Sequence, residues 1–170
     1  MRRHFARFVD GLNVVASWVC YALLVVITAI TCLQVFLRFV LNNPTSWSEE
    51  VALLCLIWFG MLAIAVGIRR HEHVAISFFR DMLPYPLALT LDFMAQLLTA
   101  GFMLVVVVYG QDLVALAGKQ LLPASSLSKA WLYVPTLVGG ALGTFNAISN
   151  ILLRELGNAP ITAMEPLNAG

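Results

Sequence analysis

The sequence predicts an all-α integral membrane protein of four transmembrane helices, with a short amphipathic helix at the membrane surface between the second and third. Of its 170 residues, 61% are hydrophobic and only 11% are charged, whereas a soluble domain carries about 25% charged residues. The hydrophobic residues lie in four blocks, each near the roughly 20 residues that cross a bilayer. A polar connection separates each block from the next.

The four blocks predict helices over residues 14–40, 50–68, 86–109 and 130–153. The first block is longer than the apolar region of a secretory signal, which has about 7–15 residues, so we expect an uncleaved helix that tilts or protrudes from the bilayer. Short connections predict a compact bundle. Residues 1–156 therefore form a single membrane domain, and we expect residues 157–170 to be a disordered tail.

The connection between the second and third blocks predicts the surface helix. Its apolar residues recur at helical spacing on one face: Ala75, Phe78, Phe79, Met82 and Leu83. Polar residues take the opposite face, so this helix would lie along the membrane surface or under a partner protein.

The arginines and lysines predict that both termini are cytoplasmic, since these residues collect on the cytoplasmic side. One side carries Arg2, Arg3, Arg7, Arg69, Arg70, Arg80 and Arg154; the other carries Lys119 and Lys129, with Arg38 near that surface. The start of the second helix would then face the periplasm of a Gram-negative cell. Trp47 and Trp131 would then lie at this outer interface, where indole rings prefer to lie. We therefore expect a multi-pass protein of the bacterial inner membrane.

Composition and motifs give no reason to expect nucleic-acid binding, a cofactor, a metal or catalysis. The net charge is +1, and a nucleic-acid interface needs a basic patch. Cys20, Cys32 and Cys55 lie inside apolar blocks and suit small buried side chains. A haem anchor needs histidines within its helices, but His4, His71 and His73 all lie outside the predicted spans. His71 and His73 flank Glu72, a spacing that could suggest a metal site, but on a loop such side chains are more often solvated.

A polar stripe runs along the end of the first helix. Thr31, Gln34 and Arg38 recur every three or four residues, so they share one face. Arg38 is close enough to the helix end to reach the interface with its charged group. Alternatively, the polar stripe as a whole meets protein.

The start of the second helix carries two acids. Ser46 and Glu49 have the spacing of a capping box, and Glu49 shares a face with Gly60 and Gly67, small residues that let another backbone approach. Glu50 points about 100° away. Glu49 either caps the helix only, or also meets a subunit or pairs with Arg38 at the same depth.

Small and amide side chains recur every four residues in the fourth block. Gly139, Gly143 and Ala147 form a face that favours helix–helix contact, within the chain or between subunits. Asn146 and Asn150 also share a face and would hydrogen-bond protein rather than lipid.

Residues 35–76 resemble the small membrane subunit of TRAP (tripartite ATP-independent periplasmic) transporters, the DctQ-like family. In that pattern an arginine ends the first helix, Trp-x-Glu-Glu opens the second, and an arginine and His-Val follow it. The matching residues are Arg38, Trp47, Glu49, Glu50, Arg69, His73 and Val74. The resemblance covers roughly residues 5–156 in length and topology.

The resemblance implies partners and a function that the residues alone do not reveal. The small subunit would form a stable scaffold for a large membrane subunit, which binds substrate and moves it with sodium. A periplasmic binding protein would deliver an organic acid, such as a C4-dicarboxylate, a sialic acid or a related carboxylate.

Two other classes remain open from the residues. One is a self-sufficient four-helix exporter of the multidrug type, which would need an acid inside its first helix. Asp10 precedes the first block, and the next acid is Glu49. The other class is a haem-free membrane anchor of an enzyme complex.

Overall fold

The computed structural model describes residues 2–43, 45–70 and 85–153. They form four helices: α1 (Arg2–Phe39), α2 (Ser46–Arg69), α3 (Tyr85–Ala117) and α4 (Ala130–Leu152). The predicted surface helix, His73 and the tail all lie outside the described residues.

All four predicted helices are present, and three are longer than predicted: α2 begins at Ser46 rather than at residue 50, and α1 and α3 extend further. Helix α1 begins at Arg2 rather than at residue 14, and α3 continues to Ala117 rather than ending at residue 109. Hydropathy marks only the apolar part of a helix. The backbone continues as helix through polar residues until a breaker such as Gly118 follows.

Helices α1, α2 and α3 are each long and apolar enough to cross a membrane, and most side chains of α1 and α3 are exposed. The chain is therefore a multi-pass membrane protein. Helix α4 is long enough, but the mean hydropathy of its most apolar stretch is lower than that of the other three helices. Its glycines and asparagines lower its hydropathy, and these are the residues that the other helices bury: Gly139, Gly140, Gly143, Asn146 and Asn150.

The helices form an open row in the order α1, α2, α4, α3. Helix α4 packs along both α2 and α3, and α2 also packs along α1. In the described part of the chain the backbone of α3 lies close to that of α4 alone, and α3 reaches α2 only through side chains such as Met103 and Ile68, so the helices do not form the closed compact bundle that the sequence predicts. Lipid supplies no hydrophobic force to close a bundle, and the glycine-bearing α4 is the helix that neighbours can approach on two sides.

The core lies where α4 meets its two neighbours. Ile68 of α2, Ala100 and Met103 of α3, and Ala147 of α4 form one buried apolar cluster. Helix α1 reaches α4 near its own start, where the rings of Phe5 and Phe145 meet edge to face at 5.9 Å between centroids.

Candidate functional site

The start of α2 is capped one residue earlier than the sequence indicates. The N-cap is Thr45 rather than Ser46, and its side chain does not bond a helix backbone N–H. Instead, the Ser48 hydroxyl donates to the Thr45 carbonyl at 2.7 Å and lies 2.9 Å from the Thr45 hydroxyl. Ser48 thus takes the third helical position in place of Glu49, which has no capping contact among the described residues.

Glu49 contacts the polar stripe of α1, but through Gln34 and not through Arg38. The Gln34 amide donates to the Glu49 carboxylate at 2.8 Å, on an exposed surface. The one ion pair among the described residues joins Arg69 to Asp10, so the predicted pair of Arg38 with Glu49 is not formed. Gln34 lies one turn nearer to the middle of α1 than Arg38, and its side chain is the one that lies opposite Glu49.

Glu50 binds the connection between α3 and α4, a contact that the sequence did not predict. Its carboxylate accepts hydrogen bonds from the backbone N–H groups of Ala124 and Ser125 at 2.9 and 2.8 Å, and from the Ser125 hydroxyl at 2.6 Å. The connection is itself folded: Leu122 N–H donates to the Leu127 carbonyl at 2.7 Å. Glu50 therefore ties the start of α2 to this turn.

Two tryptophans predicted at the outer interface lie at this same end of the molecule. Trp47 and Trp131 are about half exposed. The indole N–H of Trp58 donates to the Trp131 carbonyl at 3.3 Å, linking α2 to the start of α4. These exposed rings suit the headgroup region of a bilayer.

The opposite end of α2 joins three helices through Arg69. Its guanidinium donates to one carboxylate oxygen of Asp10 at 2.8 and 3.0 Å and to the Asn150 side-chain oxygen at 2.7 Å. The Asn150 amide donates in turn to the Ile68 carbonyl at 2.9 Å. Arg69 therefore connects α1, α2 and α4.

A buried amide pair lies one turn further into the molecule. Asn13 and Asn146 donate to each other's side-chain oxygens at 2.8 Å. Asn146 also donates to the Ala65 carbonyl of α2 at 2.7 Å, and Asn13 to the Val9 carbonyl of its own helix at 2.9 Å. The expectation that Asn146 and Asn150 bond protein is confirmed.

Sequence reasoning did not single out Asn13 as a partner. Its signal was present, since the buried residues of α1 recur at helical spacing: Val9, Asn13, Ala16 and Cys20. An amide in such a stripe needs a hydrogen-bond partner on the neighbouring helix.

The glycines of α4 make close contacts within the chain. A Cβ added at Gly139 would lie 2.7 Å from the carbonyl oxygen of Met61, and one at Gly143 would lie 3.2 Å from Ile68. By contrast, a Cβ at Gly60 would meet nothing within 4 Å. The face of α2 that carries Glu49, Gly60 and the half-buried Gly67 is therefore not the face that packs against α4.

In residues 2–43, 45–70 and 85–153, no group of three His, Cys, Asp or Glu side chains is placed to hold a metal ion. The polar side chains described above instead join one helix to another, or a helix to a connection. They define a helical membrane protein whose described polar side chains hold its helices together.

Comparison with known proteins gives the family. Residues 27–156 match the family described as "Tripartite ATP-independent periplasmic transporters, DctQ component". Because this match covers more than half of the chain, the protein belongs to the DctQ family.

Two relatives carry sialic acid TRAP transporter names. The chain is 26% identical over 140 residues to the small permease protein SiaQ of Vibrio cholerae, a match that covers 82% of this chain and 81% of SiaQ. It is 37% identical over 73 residues to the permease protein SiaT of Haemophilus influenzae. That match covers 43% of this chain and only 12% of SiaT.

Proposed function

We propose that this chain is the small membrane subunit of a TRAP transporter, and that it holds a large membrane subunit in place during sodium-coupled uptake of an organic acid. The match of residues 27–156 to the DctQ family is the observation that carries the proposal. Similarity along most of SiaQ, a protein named as a small permease protein, supports it.

The described contacts support a scaffold. Arg69, Asn146 and Asn150 bond neighbouring helices, and Glu50 bonds a connection. Side chains held in this way fix the helices relative to one another, which is what a support for a moving partner requires.

The substrate class is a carboxylate, since both relatives are named for sialic acid. The family description includes periplasmic transport, so a periplasmic binding protein would deliver the substrate to the large subunit. A sialic acid and a C4-dicarboxylate are the two substrates to test first.

In this proposal the chain crosses the inner membrane four times, with both termini in the cytoplasm. Helix α4 would cross as the central, protein-covered helix of the row. The Glu49 end of α2 would face the periplasm, and the Arg69 end the cytoplasm. Reporter fusions at the C-terminus test this orientation: a cytoplasmic fluorescent protein should mature there, and alkaline phosphatase should stay inactive.

Reconstitution tests the function. Proteoliposomes that contain this chain and its large subunit, with the binding protein and a sodium gradient, should take up the labelled organic acid. Those with this chain alone should take up none, as should the complete system without sodium. Uptake by the small chain alone would refute the scaffold role and favour a self-sufficient transporter.

A further inference from the structure

Asp112 is an acid inside the membrane-spanning part of α3. It belongs to the apolar stretch Leu87–Ala117, which is long enough to cross a membrane. The end of this stretch is level with the start of α4, since a Cβ at Gly118 would lie 3.8 Å from the Ala130 Cβ, and the half-exposed Trp131 comes next. Six residues separate Asp112 from Gly118, about 9 Å along a helix. Helical side chains tilt towards the N-terminus, so the Asp112 carboxylate points deeper still, away from the interface at Trp131.

Asp112 also points away from the other helices of the chain. The buried residues of this part of α3 share the face that meets α4: Met103, Gly110 and Ala117. Asp112 is rotated by about 200° from Gly110, and it is exposed. It forms no hydrogen bond or ion pair with the residues that the structure describes. Lys119, the next cation along the chain, follows the end of α3 and does not pair with it.

Lipid offers this carboxylate no partner at its depth. Val105 and Val108 lie beside it on the outward face and are 51% and 54% exposed. Acyl chains that cover such valines carry no hydrogen-bond donor. Phospholipid phosphates repel a carboxylate, and lipid ammonium groups lie in the headgroup layer above it. Acids within membrane helices face protein or a water-filled cavity, where they pair with another group, so the complement to Asp112 is a positively charged side chain.

We propose that the outward face of α3 is the docking face for a transmembrane helix of the large membrane subunit, and that an arginine or lysine of that helix pairs with Asp112. This inference rests on the proposed function. Helix α3 is one edge of the row, and Leu98 on its outward face is 72% exposed. A Cβ at Gly101, on the same face, would meet nothing within 4 Å, so a neighbouring helix can approach the backbone there.

Photo-cross-linking in membranes tests the face. A photoreactive amino acid replaces Val108, one turn from Asp112, in a tagged chain coexpressed with its large subunit. Val25 is the matched control, since it is an exposed valine on a stretch of α1 without an acid. The Val108 position should give roughly ten times more cross-linked large subunit than the Val25 position. Phospholipid adducts alone at Val108, a cross-linked dimer of the tagged chain, or more product at Val25 would overturn the inference.

The position of the cross-link tests the charge of the partner. Mass spectrometry of the Val108 product should place the link in an apolar segment of the large subunit. That segment should contain an arginine or lysine within about two helical turns of the linked residue. A linked segment without a basic residue would contradict the pair with Asp112.

Substitution of Asp112 tests the pair itself. Asp112→Asn removes the charge and should lower the amount of large subunit that copurifies by roughly tenfold, whereas Asp112→Glu should retain most of it. Gln111→Lys makes the same change in net charge at the same depth, on a face rotated by about 100°, and should leave the yield unchanged. Thermal unfolding of each variant alone checks that the helices still fold. Equal yields for Asp112→Asn and the wild type would show that no such pair forms.

Failure of the docking face and failure of the proposed function give different results. If the wild-type chain and the large subunit do not copurify, the proposed function fails and this inference fails with it. If they copurify, but Val108 gives no large-subunit product and Asp112→Asn behaves like the wild type, the docking face alone is wrong.

Discussion

The two ends of α2 use polar residues in different surroundings. At the Arg69 end, Asn13, Asn146 and Asn150 are buried and bond both side chains and backbone carbonyls across three helices. At the other end, Glu49 and Gln34 meet on an exposed surface. A buried amide without its partner is costly, whereas an exposed one bonds water or headgroups. The Arg69 end therefore fixes the helices, whereas the bond between Gln34 and Glu49 contributes less to the fold of the chain by itself.

The largest effect is expected midway between the ends, where α2 and α4 touch. In Gly139→Ala the new Cβ would lie 2.7 Å from the Met61 carbonyl oxygen and 2.8 Å from the Met61 Cβ. The two helices must separate, and we expect a loss of about 1–3 kcal/mol in the free energy of unfolding. Denaturation of the purified chain in mixed micelles, followed by circular dichroism, measures it.

Gly60→Ala is the matched control, since its Cβ meets nothing within 4 Å. Alanine favours helix over glycine by about 0.5–1 kcal/mol, so this variant should be as stable as the wild type or more so. Equal losses for the two variants would show that the close contact at Gly139 does not set the α2–α4 distance.

The next effect tests the buried end. Asn146→Ala removes two hydrogen bonds that its amide donates, to Asn13 and Ala65, and one that it accepts from Asn13. Because hydrogen bonds between membrane helices reach about 1–2 kcal/mol, we expect a loss of that size. Thr144→Ala, which removes a bond within α4 itself, should cost less.

A double-mutant cycle with Asn13→Ala isolates the amide pair. If the two asparagines act together, the double variant should lose less stability than the sum of the single variants. Additive losses would mean that the reciprocal bonds contribute nothing and that the Arg69 end is not fixed by them.

The sequence predicted the helices and, at the buried end, that Asn146 and Asn150 bond protein, because both follow from periodicity; it did not predict Asn13 or the pairing of Arg69 with Asp10. Residues four apart lie on one face, which identified Asn146 with Asn150 and Gly139 with Gly143. The order of the helices in the row could not be predicted from the sequence, because it depends on which side of α4 each neighbouring helix occupies. A single helix pattern carries no such information.

The Glu49 end was harder to predict for a different reason. Gln34 and Arg38 share a face one turn apart, so periodicity cannot choose between them as the partner of Glu49. The axial offset between α1 and α2 decides which of these two side chains lies opposite Glu49. The partners of Glu50 are backbone N–H groups of a connection, and their positions depend on how that connection turns.

A local effect is expected at the Glu50 contact. In Glu50→Gln one of the two acceptor oxygens becomes a donor amide, so the N–H groups of Ala124 and Ser125 cannot both keep their bonds. Hydrogen exchange of these two amides should rise several-fold, while global stability changes little. Unchanged exchange at both positions would contradict the tie between α2 and the connection.

The smallest effect is expected for Glu49→Gln, because the bond from Gln34 is exposed and a glutamine oxygen can still accept it. We expect a change of less than about 0.5 kcal/mol in the isolated chain. Glu49 would matter only in the assembled transporter, so copurification of the large subunit is the second measurement. A large loss of stability in the isolated chain would overturn the comparison, since both ends of α2 would then fix the fold.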